Sequence, residues 1–276
     1  MRYQPQLAVL VIAFLTIGEW ESRARWRALT VPEERRWLGH SALYLAGLVL
    51  MWSLLRVSAV ATASLVAESP FGLLNSSWLP EPLAWILAVA LLDLARYGMH
   101  FAHHRVPVLW RLHRVHHSDP DIDLSTGLRA HPIDTVIFQA GYLAAVAVLA
   151  PPWGAVVLAE CLFCFQAFFT HANARLPEGI EARLRRVLVT PDLHRIHHSE
   201  REAEQNGNFG DLLPWWDRLF GTYIAAPACG QSALVPGLRG FQSSRSLSLR
   251  FMLGLPFEPR DDPSQPADRE VQREQA

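Results

Sequence analysis

Apolar positions in this chain gather in long blocks, not at the two-residue spacing of a half-buried strand or in the narrow stripe of a soluble amphipathic helix. The first block, about Gln4 to Trp20, follows Arg2 and precedes a loop carrying Arg23, Arg25, Arg27, Arg35 and Arg36. Its end, A-F-L-T-I-G-E-W, has no small-x-small cleavage site, so it reads as a retained transmembrane helix and not a signal peptide. A second block runs from about Ser41 to Ala67, interrupted by Arg56, and a third, from about Leu79 to Leu92, continues as a helix beyond the bilayer. The fourth starts near Ile133 and stops at Pro151-Pro152; the fifth runs from Trp153 to about Thr170. These last two have roughly 18 residues each, near the short limit of about 17 for a spanning helix. Adjacent prolines donate no helix hydrogen bonds and restrict the residues before them, which predicts a helical hairpin that returns the chain to the side it left.

The predicted fold is all-α: a polytopic membrane bundle of about four to five transmembrane or membrane-embedded helices with a cytoplasmic histidine-rich helical cap. Arginine placement orients it. The stretch from Glu21 to Gly39 has five arginines and that from Glu68 to Glu81 has none, so the first is expected in the cytoplasm and the second outside. Residues 1–90 then read as N-terminal membrane helices, 91–224 as a histidine-rich domain with the hairpin at 133–170, and 225–276 as an extension that is disordered from about Phe257.

Composition agrees: half of the 276 residues are hydrophobic and 18% are charged, against about 25% in an ordinary soluble domain. The 25 basic residues are all arginine and face 26 acids, so no basic excess points to nucleic acid. Cys161, Cys164 and Cys229 supply no disulfide framework, and C-L-F-C lies inside an apolar run where small thiols pack.

Twelve histidines are the exceptional count. H-F-A-H-H spans His100 to His104, H-R-V-H-H spans His113 to His117, and H-R-I-H-H spans His194 to His198, all fitting H-x-x-H-H. Chance gives about 0.02 such matches in a chain of this composition, so three denote a built site. On a helix, positions i, i+3 and i+4 share a face, which lets imidazoles converge on a metal. Eight or more imidazoles exceed the four ligands of one tetrahedral zinc and suggest two metals; iron, copper, nickel and zinc all accept this donor. His40, alone on an apolar stretch, reads as a hydrogen-bonded core histidine. Asp93, Tyr97, His100 and His104 fall along one helix face, so Asp93 either orients a ligating histidine or pairs with Arg96. Thr190-Pro191 reads as the N-cap and first residue of the helix carrying His194 to His198. Glu160, an acid inside the fifth apolar run, is a functional candidate by position.

D-L-A-R-Y-G-M-H-F-A-H-H-R-V-P-V-L-W-R-L-H-R-V-H-H-S, followed by L-S-T-G-L-R-A-H-P, T-H-A-N-A-R-L-P, V-T-P-D-L-H-R-I-H-H-S and W-D-R-L-F-G-T-Y, resembles the sterol desaturase / fatty acid hydroxylase superfamily of membrane non-haem diiron oxygenases, over roughly Leu91 to Tyr223. The resemblance implies two iron ions, with O2 as co-substrate. It makes His100, His104, His113, His116, His117, His171, His194, His197 and His198 the metal ligands, and His103 a variable position within the first box. His131 is implied as a further ligand or as a residue orienting one, and Asn173, in the H-A-N segment, joins Asp93 among the orienting candidates. The implied reaction hydroxylates or desaturates a lipid C–H bond. Its two electrons come from a separate ferredoxin, cytochrome or reductase, because the chain has neither a G-x-G-x-x-G nor an H-P-G-G segment.

A histidine-rich membrane metal transporter or sensor is the alternative, but it calls for ligands along several spans, and here the clusters fall at helix ends. A metal-dependent lipid hydrolase calls for a carboxylate-bearing or mononuclear site with an open water position, which nine imidazoles fit poorly.

Overall fold

The computed structural model describes residues 5–69, 72–75, 79–242 and 244–258. Helices α1 (Pro5–Arg23), α2 (Glu33–Leu55), α3 (Ala59–Val66), α4 (Glu81–Arg105), α5 (Pro107–His117), α6 (Pro132–Leu149) and α7 (Trp153–His171) come first in the chain. Shorter helices follow: α8 (Glu178–Leu184), α9 (Pro191–His197), α10 (Glu202–Gln205), α11 (Trp215–Phe220) and α12 (Leu249–Gly254). Among the described residues there is no strand, only two isolated bridges, Arg25 with Ala174 and Ser199 with Pro236.

Four helical stretches are long and apolar enough to cross a membrane: Glu33–Val66 (α2 with α3), α4, α6 and α7. Outward-facing Leu45, Val49, Trp52 and Leu54 on α2 are exposed, the pattern of a helix whose solvent is lipid. The second block begins earlier than its apolar pattern implied, because α2 starts at Glu33 and carries Arg36 and His40 into the interior. Arg56, in the left-handed conformation at φ 54°, ends α2 before Ser58 caps α3. Helix α1 forms as expected, yet is not among the four: its last turns carry Glu19, Glu21 and Arg23, and buried Glu21 accepts the backbone N–H groups of Leu124 and Asn173.

The paired-proline hairpin is present. Chain direction reverses between α6 and α7 through Ala150 (φ 44°) and Pro151-Pro152, so the start of α6 and the end of α7 lie at the same end of the bundle. Ala59, Ala63, Ala88, Leu92, Val146, Val156 and Ala159 pack the core between α3, α4, α6 and α7. The alanines at 59, 63, 88 and 159 let the helix backbones approach closely.

A buried ionic network ties α2 to the cap. Arg36 donates to Asp119 and Asp123 at 2.6 Å each, and Asp123 also caps the 3-10 turn Leu124–Leu128. Burial alone would raise the Asp119 carboxyl, but Arg36 and Arg129 hold it well below the usual carboxylate range. His40 completes the network as a satisfied core histidine: Arg129 donates to its Nε2 at 3.0 Å, leaving Nδ1 to donate to Ser125. Beyond Tyr223 the described residues reach Glu258, whose backbone carbonyl accepts from Arg111 and Arg114; the rest of the expected disordered tail lies outside the described residues.

Candidate metal centre

Each histidine box sits where a helix end is fixed by its own sequence. Pro107 opens α5 and Pro191 opens α9, both at positions whose N–H has no helix partner to lose, and the Thr190 hydroxyl accepts from Leu193 N–H as predicted. Three boxes and the end of α7 then bring nine imidazoles into two adjoining groups. His100, His104, His113, His117 and His197 form one, and His116, His171, His194 and His198 the other; within each group the ligand atoms lie within 4.8 Å of one another. His117 and His198 stack between the groups with centroids 4.6 Å apart.

Helical geometry sorts the boxes between the groups. In α5 the i,i+4 pair His113 and His117 joins the five-membered group while His116 turns to the other; in α9 the roles reverse, with the pair His194 and His198 on the four-membered side and His197 opposite. In α4 the pair His100 and His104 enters the first group, and His103 belongs to neither.

Backbone carbonyls fix the ring tautomers. His100 Nδ1 donates to Phe209, His197 to Gly207, His116 to Arg129 and His171 to Ala167, at 2.7–3.1 Å. Since a carbonyl only accepts, each Nε2 presents a bare lone pair. The Nε2 atoms of His100, His104, His113, His117 and His197 are buried without a partner. In the other group Nε2 of His171 lies 3.2 Å from that of His116 and 2.9 Å from that of His194. Lone pairs fixed on four of these rings, converging with five further imidazoles in a buried space, fit a cation, and imidazole is a donor that suits iron. Burial together with the neighbouring rings pushes His116, His117, His194 and His198 well below the usual histidine range, and burial brings His197 to about 3, so protons compete poorly for these nitrogens.

Two supports escaped the sequence reading. Asp134, buried at the start of α6, accepts from His113 Nδ1 at 3.2 Å with one oxygen and meets His103 Nε2 at 3.0 Å with the other, while His103 Nδ1 donates to Met99 O. His103 is thus packed against Asp134 and is not an unconstrained position. The only signal was the acid two residues after Pro132. The second support is the N-G-N-F-G segment from Asn206 to Gly210, which supplies the carbonyls that orient His100 and His197. Asn208 holds it at φ 54°, and Asp217 accepts the N–H groups of Phe209 and Gly210. At Gly127 a Cβ would sit 2.6 Å from Ala167 O, the carbonyl that orients His171, so the 3-10 turn needs glycine to approach α7.

Three expected orienting residues act elsewhere. Asp93 accepts from Leu212 and Leu213 N–H and from Trp216 Nε1, reaching no histidine; Arg96 pairs with Asp211 instead. Asn173 exchanges two hydrogen bonds with the Arg27 backbone, joining the end of α7 to the loop before α2. His131 is in neither ligand group: its Nδ1 accepts from Ile133 N–H, capping α6, and its Nε2 meets Leu253 O.

A cavity of about 1250 Å³ extends from this centre between the membrane helices. His100, His113, His116 and His171 line one end; Leu48, Met51, Val157 and Phe163 line the walls.

The chain belongs to the fatty acid hydroxylase family, whose pattern matches residues 85–222, half of its length. It is 32% identical over 173 residues to an ornithine lipid hydroxylase of Rhizobium tropici, covering 61% of this chain and 50% of that one. It is 30% identical over 155 residues to the human alkylglycerol monooxygenase (56% and 34% of the two chains) and 29% identical over 140 residues to methylsterol monooxygenase 1 of Danio rerio (47% and 43%). The chain therefore spans no more than half the length of these relatives. No solved structure matches it.

Proposed function

We propose that this protein is an integral membrane oxidoreductase that holds two iron ions in the nine-histidine centre. It uses O2 and electrons from a separate ferredoxin, cytochrome or reductase to hydroxylate or desaturate a C–H bond of a lipid. The observation that carries this reading is the convergence of two all-imidazole groups on the end of one membrane cavity. Bound iron would supply the O2 activation that breaking an unactivated C–H bond requires and that side-chain acids and bases lack.

The chain's own contribution is placement. His100, His104, His113, His117 and His197 would hold one ion and His116, His171, His194 and His198 the other. The carbonyls of Phe209, Gly207, Arg129 and Ala167 keep four of the rings in the ligating tautomer. The apolar walls take a lipid from the bilayer and exclude water from the reacting carbon. The relatives' names agree with lipid C–H oxidation: a hydroxylase of ornithine lipid, a monooxygenase of alkylglycerol and a monooxygenase of methylsterol. The arginine distribution supports histidine boxes facing the cytoplasm.

Expression with a compatible electron donor under labelled O2, followed by lipid mass spectrometry and iron analysis, tests the proposal. The expected result is about two irons per chain and a lipid product; label in the product marks hydroxylation, and an unlabelled alkene marks desaturation. Stoichiometric zinc without iron in iron-replete cells, and no altered lipid, would count against it. Reporters fused after Asp121 and Glu200 should read as cytoplasmic and one near Asn75 as external.

A further inference from the structure

Glu160 is an acid in the middle of α7 that the metal centre leaves unused, and it lines the cavity together with Gln6 and Tyr142. Gln6 Nε2 donates to Glu160 Oε2 at 2.8 Å, which leaves Gln6 Oε1 as an acceptor, and that oxygen is buried without a partner. Tyr142 is 2% exposed, and its hydroxyl is also unpartnered. Arg96, the guanidinium among the described lining residues, is paired with Asp211 and lies against Phe163 and Phe138, 4.6 and 4.9 Å from the ring centroids. Buried hydrogen-bonding groups left unmade are costly, and in a cavity wall they specify what enters.

We propose that Gln6, Tyr142 and Glu160 form a polar subsite inside the membrane cavity that takes the hydroxyl of a neutral lipid, with the hydrocarbon of the same molecule extending toward His100, His113, His116 and His171. A hydroxyl fits because it supplies both the proton that Gln6 Oε1 can accept and an oxygen to which the Tyr142 hydroxyl can donate. An ether brings no proton for Gln6. A carboxylate or phosphate meets Glu160, while the nearby arginine is already paired. Glu160 precedes His171 by roughly 16 Å along α7, and Tyr142 follows Asp134 by roughly 12 Å along α6. The oxidised carbon is therefore remote from the hydroxyl, not adjacent to it. The assignment rests on the cavity being the lipid site of the proposed enzyme.

The test is equilibrium binding of radiolabelled hexadecanol, its methyl ether and hexadecane to the full chain in nanodiscs, corrected for partition into empty nanodiscs. Wild type should prefer the alcohol to the ether by about tenfold, and Tyr142→Phe and Gln6→Leu should each lower that preference about threefold, with melting temperatures unchanged. Equal affinity for alcohol and ether in wild type, or an unchanged ratio in both variants, would overturn the subsite. Binding of none of the three lipids would overturn the lipid cavity with it. Iron content and O2 consumption, measured on the same preparations, judge the oxygenase separately: an iron-free protein that still selects the alcohol retains the subsite and loses the enzyme.

Discussion

The two histidine groups share α5 and α9, yet they are supported differently. The five-membered group takes i,i+4 pairs from α4 and α5 and one ring from α9, and it is flanked by the Gly207–Phe209 backbone on one side and by Asp134 on the other. The four-membered group takes its pair from α9 and single rings from α5 and α7, each oriented by one main-chain carbonyl. The second and third boxes are therefore dividers: the outer pair of each enters one group and its fourth residue the other, whereas His103 of the first box enters neither. With one ligand fewer and no carboxylate behind it, the four-membered group should hold its ion less firmly.

Removing the single ring that a box contributes to each group tests this directly. His116→Ala leaves three imidazoles in the smaller group, and bound iron should fall from about two to about one per chain with product formation abolished. His197→Ala leaves four in the larger group; it should abolish product as well while retaining more iron than His116→Ala. Iron per chain and product formed, measured for both variants in one host, decide the matter. Equal iron loss would mean that the two groups are equivalent.

Asp134 sharpens the same contrast because it touches only the larger group. Asp134→Asn should weaken that ion about ten- to a hundredfold, as loss of a ligand's hydrogen-bond partner does, and leave the other ion unchanged. His103→Ala should give a smaller effect in the same direction, since Asp134 keeps His113. Chelator competition followed as two release phases reads both. A change in the phase that belongs to the four-membered group would show that Asp134 supports the whole centre.

The sequence made the boxes legible because their information is periodic and local: i, i+3 and i+4 on a helix need no tertiary knowledge. The hairpin was legible for the same reason, from Pro151-Pro152. Supports that depend on long-range contact were not. Asp93 shares a helix face with His100 and His104, but the loop at Leu212–Trp216 packs against it first and takes both carboxylate oxygens. Asp134 lies 21 residues from His113, and its partnership exists only because α6 starts beside the end of α5. Arg36 looked like a cytoplasmic loop charge, whereas three acids at 119, 121 and 123 draw it into the interior.

The centre also predicts how the metal-free protein responds to pH. Folded His116, His117, His194 and His198 have lowered proton affinity and His197 titrates at about 3, whereas the unfolded chain binds protons near the ordinary value of about 6.5. Below that value the unfolded state takes up more protons, so stability present above it is lost progressively as pH falls toward about 3. Melting temperature of chelated protein should drop across that window, and iron should offset much of the drop by binding only the folded state. A flat profile in the chelated protein would mean that the imidazoles are hydrated and not buried together.

The smallest effect is expected at His131. The family resemblance implied a ligand or a residue orienting one, for which loss would slow turnover about ten- to a hundredfold. Its ring instead caps α6 through Ile133 N–H and reaches Leu253 O in the C-terminal segment, with Phe257 packed edge-on at 6.1 Å. His131→Ala should therefore cost about 1 kcal/mol of stability, the usual worth of an N-cap, and His131→Asn should restore most of it. Iron per chain and turnover by the folded protein should stay at wild-type levels in both variants. Unfolding midpoints and metal analysis of the two substitutions side by side distinguish the roles: an Asn variant that recovers stability yet loses iron would return His131 to the metal centre.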